Sequence, residues 1–236
     1  MNTINIEEKL NQLKQELKQV KSSNYYTPEY LKELLENQHS TSLHQSLLIV
    51  TLAALLDMQD PLTAGHCQRV GSYSALIAQE MGLPKEEQSK IKLAGLLHDI
   101  GKIGIRSLHR YKPGILSKEE ILEMERHVII GYEIIIGVPD MSNIAHLVLH
   151  HHERVDGTGY PHGLFGNEIP LGARILCVAD SFDAMVTSRI YRPVVSVPEA
   201  LEELKRCSGT QFDPEIVKIF GNYLRRKGFQ LLGEAL

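Results

Sequence analysis

Residues 66–81 read HCQRVGSYSALIAQEM. Val70, Tyr73, Ile77 and Met81 recur at steps of three and four. That is the repeat of one face of an α-helix, not the two-residue alternation of a strand. His66 lies four residues before Val70 and shares the inward face. On its own, such a histidine is more often a hydrogen-bonded core residue than a ligand. Asp60-Pro61 marks the expected start of this helix, and Gly82 and Pro84 stop it.

The same reading extends along the chain. A helix expected from about Lys85 to Asp99 carries Ile91, Ala94 and His98 on one face, and Asp99, Gly101 and Lys102 follow at its end. Ser117 and Glu120 form a capping box for a helix expected to reach about Gly131, with Ile121, Met124 and His127 inward. From about Asn143 to Glu153, Ile144, Leu147 and Val148 lead into His151 and His152, while His146 and His150 fall on another face and are expected to be polar or exposed. Gly172 to about Ser188 places Leu176 and Asp180 together, with Asp183 one turn on. Ser196 with Glu199, and Asp213-Pro214, open two further helices. His39, His44, His109 and His162 have no placement argument and default to solvent. Strand signals are scarce, so the expected class is all-α.

Five inward histidines and two inward aspartates, Asp99 and Asp180, thus fall on five helices. Buried carboxylates are costly unless paired or metal-bound. Seven such groups in one small core call for a cation. The rest of the composition narrows the setting. The chain has 236 residues and 43% hydrophobic content, enough for one sizeable core. A net charge of −4 and a pI near 6.3 give no basic footprint for nucleic acid. Cys67, Cys177 and Cys207 form no C-x-x-C pair and suit a reducing compartment. The apolar run Leu47 to Met58 is too short to span a bilayer, no signal-peptide region is seen, and a cytoplasmic location is expected.

Residues 1–22 carry Ile6, Leu10, Leu13, Leu17 and Val20 at heptad spacing, which fits either a dimerising coiled coil or a single amphipathic helix. Thr27-Pro28-Glu29 opens another helical stretch. The expected division is an N-terminal helical segment over 1–44 and a main domain over 45–236.

His98-Asp99-Ile100-Gly101-Lys102 resembles the H-D-x-G-K signature of the HD phosphohydrolase superfamily. His151-His152-Glu153-Arg154-Val155-Asp156-Gly157-Thr158-Gly159-Tyr160-Pro161 resembles H-H-E-x-x-D-G-x-G-Y-P. Together they resemble the HD-GYP family of cyclic di-GMP phosphodiesterases, over roughly His66 to Phe220. The resemblance implies a helical bundle of the HD type with two divalent metals. His66, His98, Asp99 and Asp180 would hold one metal. Asp99, His127, His151 and His152 would hold the other, with Asp99 bridging. It further implies that Lys102 contacts the scissile phosphate or its nucleophile, and that Arg189 and Arg192 meet the ligand phosphates. Tyr160 and Pro161 belong to a loop tied to site shape and partner contact. Some family members carry a glutamate, supporting a third metal, where this chain has Leu62. That departure points to a two-metal site and weighs against complete degradation to GMP.

The expected chemistry is attack on phosphorus by hydroxide that two metals activate, yielding linear pGpG, with further cleavage to GMP left open. A nitrogen and oxygen ligand set without thiolate fits iron, manganese, zinc, cobalt or nickel, and the resemblance favours iron, then manganese. The rival readings are an HD hydrolase of another nucleotide, and a receptor that binds cyclic di-GMP or a protein without turnover.

Overall fold

Apolar residues at helical spacing find their partners in a helical bundle. The computed structural model describes residues 51, 53, 65–105, 116–187 and 195–229. The N-terminal segment expected over 1–44 lies outside these residues, as do Leu62, His109, Arg189 and Arg192. The described α-helices are α1 (His66–Glu80), α2 (Lys85–Leu97), α3 (Lys118–Glu125), α4 (His127–Ile136), α5 (Ser142–His150), α6 (Leu171–Val186), α7 (Val197–Arg206) and α8 (Pro214–Arg226). A 3₁₀ turn, Ile100–Gly104, follows α2, and a shorter one, Gly166–Glu168, precedes α6. Among the described residues, β-structure is limited to two isolated bridges, and no helix is long and apolar enough to cross a membrane.

Helix α6 packs against α1, α2, α5, α7 and α8. Its residues Ile175, Leu176, Val178, Ala179 and Phe182 are fully buried. Phe182 meets Tyr73 of α1 and Phe220 of α8 edge-on, with ring centroids 5.2 and 4.9 Å away. Helices α7 and α8 begin where the caps predict. Ser196 and Glu199 complete a capping box, and the Asp213 side chain accepts from the Glu215 amide. Arg174 of α6 ties the start of α8 through a 2.6 Å ion pair with Asp213.

Two glycine contacts set the spacing around the eventual site. Helices α1 and α2 touch backbone to backbone, and a Cβ on Gly95 would sit 2.6 Å from the Gly71 Cα. A Cβ on Gly101 would overlap the His127 carbonyl oxygen. The 3₁₀ turn therefore lies directly on the first turn of α4, as only glycine permits.

Several expected boundaries are corrected. Gly65 has φ 75°, so α1 starts at His66 rather than after Pro61. The helix expected from Ser117 to Gly131 is two helices, broken at Arg126. The Arg126 amide bonds to the Glu123 carbonyl and the Ile129 amide to the Arg126 carbonyl, so the chain tightens here into three-residue turns of the 3₁₀ type. As a result α3 buries no residue, and Ile121 is exposed instead of inward. Helix α5 ends at His150 rather than Glu153.

Candidate metal centre

The ends of these helices bring the sequence-predicted ligands together. His66 opens α1, His98 caps α2, Asp99 precedes the 3₁₀ turn, and His127 opens α4. His151 and His152 follow α5, and Asp180 lies mid-way along α6. Placement at helix ends lets adjacent residues in the chain aim at one point. His98 and Asp99 do so, as do His151 and His152.

Four of the five imidazoles are oriented from behind. The Nδ1 of His98, His127 and His151 lies 2.7 Å from the carbonyl oxygens of Gly95, Met124 and Val148 respectively. A carbonyl can only accept, so each Nδ1 carries the proton and each Nε2 offers a lone pair. His66 donates through Nδ1 to Asp183 Oδ2 at 2.7 Å. Asp183 also accepts from Arg69 Nε and Nη2 at 2.6 and 3.0 Å.

Two groups of ligand atoms result. His66, His98 and Asp180 form one, and His127, His151 and His152 the other, with the atoms in each within 4.8 Å of one another. Asp99 stands between them. Its Oδ2 lies 3.5 Å from His98 Nε2 and 4.0 Å from His66 Nε2, whereas Oδ1 lies 3.8 Å from His127 Nε2. Lys102 Nζ donates to Asp99 Oδ2 at 2.6 Å. Tyr160 packs on His152, ring centroids 4.9 Å apart.

The donor set fits a cation. The Nε2 atoms of His127 and His151 are buried with no hydrogen-bond partner, an arrangement that costs stability unless something fills it. The electrostatics agree. Burial pushes His151 well below the usual histidine range and takes His152 down to about 3, so both are neutral and able to ligate. Burial opposes ionisation of Asp99, but the charge of Lys102 and of the surrounding histidines outweighs it and holds the carboxyl well below its usual value. For Asp180 the opposing burial is overcome by the hydrogen bond to His66. His66 is the exception. Burial disfavours its charged form, yet hydrogen bonds to Asp180 and Asp183 lift its pKa to about 9. Its Nε2 proton, 3.1 Å from Asp180 Oδ1, occupies the place a cation would take.

The seven predicted ligands, Lys102 and Tyr160 thus converge. Asp183, placed one turn from Asp180 but given no role from sequence, holds His66 and is held by Arg69, and the Cys67 sulfur lies within 4.8 Å of ligand atoms of His98 and Asp99. The three-residue step from Asp180 to Asp183 was the available signal. His150, expected to be polar or exposed, is buried, with its ring packed against His162.

The HD domain family model matches residues 50–216. The chain belongs to the HD domain family. Its His151–Pro161 signature is that of the HD-GYP members. The cyclic di-GMP phosphodiesterase of Thermotoga maritima is 44% identical over 171 residues, which cover 72% of this chain and 46% of that protein. The cyclic di-GMP phosphodiesterase response regulator RpfG of Xanthomonas campestris is 38% identical over 188 residues, 79% of this chain and 50% of that one. The chain spans about half the length of these curated relatives. The solved V-cGAP3 of V. cholerae, a cyclic GMP-AMP specific phosphodiesterase, superposes with a TM-score of 0.60 at 22% identity, over 78% of this chain and 49% of that one. This last likeness is one of fold.

Proposed function

We propose that this HD-GYP chain is a metal-dependent phosphodiesterase that opens cyclic di-GMP to linear pGpG. The observation that carries the reading is the Asp99 carboxylate, one oxygen toward His66 and His98 and the other toward His127. In this reading His66, His98, Asp99 and Asp180 hold one divalent ion, and Asp99, His127, His151 and His152 a second. Bound divalent ions supply Lewis acidity toward phosphoryl oxygen and make hydroxide available near neutral pH. Iron is the favoured metal, then manganese.

The protein's own part is orientation and charge. Backbone carbonyls fix His98, His127 and His151, and the Asp183–Arg69 pair fixes His66. Lys102 stays protonated beside Asp99 and stabilises charge on the phosphoryl group as it builds up. Tyr160, whose phenol burial pushes far above its ordinary range, stays protonated and shapes the wall beside His152. Arg189 and Arg192 are proposed phosphate contacts. The proposed setting is the cytoplasm, with residues 1–22 as a dimerising helix and the Gly159-Tyr160-Pro161 loop as a partner surface.

The test is hydrolysis of cyclic di-GMP by protein loaded anaerobically with Fe(II) or with Mn(II), products separated by chromatography. Metal-dependent pGpG or GMP that vanishes in Asp99→Ala supports the reading. A Vibrio cholerae relative named as a 3′3′-cGAMP-specific phosphodiesterase is 35% identical over 71% of this chain, so 3′3′-cyclic GMP-AMP belongs in the same panel. No product from either dinucleotide, with metal bound and helicity intact, favours a receptor. Metal content below about one ion per chain in active protein argues against two ions.

A further inference from the structure

A second set of ligand-type side chains lies just past α5, outside the centre described above. His150, Glu153 and His162 each bring one ligand atom within 4.8 Å of the others. His150 Nδ1 lies 2.9 Å from the His146 carbonyl and donates to it, so the neutral ring has a bare Nε2. That Nε2 faces His162 Nδ1 at 3.1 Å. Two nitrogens at this separation match the bite of a cation that binds each at about 2.0–2.1 Å. Glu153 is buried, and its two oxygens accept from the His162 and Leu164 amides at 2.7 and 3.0 Å. Each oxygen retains a lone pair.

We infer that His150, Glu153 and His162 form an accessory binding site for Zn(II). Two imidazoles and one carboxylate make a familiar three-ligand zinc set. His162 is exposed, which leaves the fourth position to water. The ion would clamp the loop after Tyr160-Pro161 to the end of α5. Because Tyr160 packs on His152, occupancy of this site would set the wall of the neighbouring centre.

The assignment is tested by zinc content alone, independently of the proposed phosphodiesterase activity. Full-chain protein is stripped with chelator and dialysed against buffered zinc, and metal per chain is measured by mass spectrometry. Wild type is compared with His162→Ala, and both forms are also made in an Asp99→Ala, His127→Ala, His152→Ala background that disables the main centre. The expected result is one zinc fewer per chain in His162→Ala in either background. Zinc should also slow hydrogen exchange over residues 157–165 in the disabled background, and His162→Ala should abolish that slowing. His162→Cys supplies another zinc ligand and should restore binding, which separates ligand loss from structural damage. Equal zinc content with and without His162, or a loss that His162→Cys fails to restore, overturns the site and leaves a simple histidine–histidine hydrogen bond.

Discussion

At the level of single residues, Asp99 and Asp183 make different demands. Asp99 touches both ligand groups, so Asp99→Ala should lower cyclic dinucleotide turnover by more than about a hundredfold, beyond the 10–100-fold typical of outer-shell losses. Asp183 acts through His66. It holds the ring by Nδ1 and is itself held by Arg69. Asp183→Asn should therefore weaken metal affinity by about 10–100-fold, while turnover at saturating metal stays near wild type. Metal titration followed by kinetics at saturation separates the two effects. An Asp183→Asn protein with unchanged affinity would make this carboxylate merely structural. The seven candidate ligands were legible because the five histidines and Asp180 continue apolar stripes and Asp99 directly follows one. Asp183 was less so, because its meaning depends on a partner 117 residues away, brought near only by the packing of α1 on α6.

Among the elements, the informative features are where helices stop. The three-residue step from Met124 to His127 fits one continuous helix, yet it also fits a tightened turn, and periodicity cannot separate the two. The break at Arg126 makes His127 the first residue of α4. The early end of α5 places His151 and His152 in the turn, with ring centroids 4.0 Å apart. Capping boxes at Ser117 and Ser196 were readable because their hydrogen bonds are local. Gly101 shows what local reading cannot reach, since its need for glycine comes from the backbone of α4. Gly101→Ala must push the 3₁₀ turn off His127, at a cost of about 1–3 kcal/mol as for other overpacked sites. It should also displace Asp99 and Lys102, so metal affinity should fall even in protein that is still folded at 20 °C (roughly the temperature of maximum stability). Thermal melts paired with metal titration would show both effects. A variant with full metal affinity would mean the turn can relax without moving Asp99.

Across the whole molecule, fold class followed from one repeat sustained over several segments, whereas the regulatory input has no such signature. Removing residues 1–22 should convert a dimer to a monomer by light scattering if the heptad seam is a coiled coil. An unchanged mass would assign that run to a single amphipathic helix. The helical bundle carries its own global signature, the linkage between protons, metal and stability. In the metal-free protein His66 has its pKa raised from 6.5 to about 9. The folded state therefore holds this proton more tightly than the unfolded state. The stabilisation, on the order of 3 kcal/mol, is complete below the unfolded value and is lost as pH rises through 9. His152 acts in the opposite range. With a folded pKa of about 3 against 6.5 unfolded, it leaves the unfolded chain binding the extra proton, so stability falls as pH drops from 6.5 toward 3. Metal-free protein should thus melt highest near pH 6.5 and lower on either side. Above pH 6.5 a bound cation has the reverse dependence, because the His66 proton competes for the same Nε2. Metal-loaded protein should therefore gain melting temperature over metal-free protein as pH rises from 6.5 to 9, with proton release on binding seen by calorimetry in buffers of different ionisation enthalpy. A metal-free melting temperature that climbs over that interval would mean that His66 is not charged, and that Asp180 and Asp183 are neutralised by other groups.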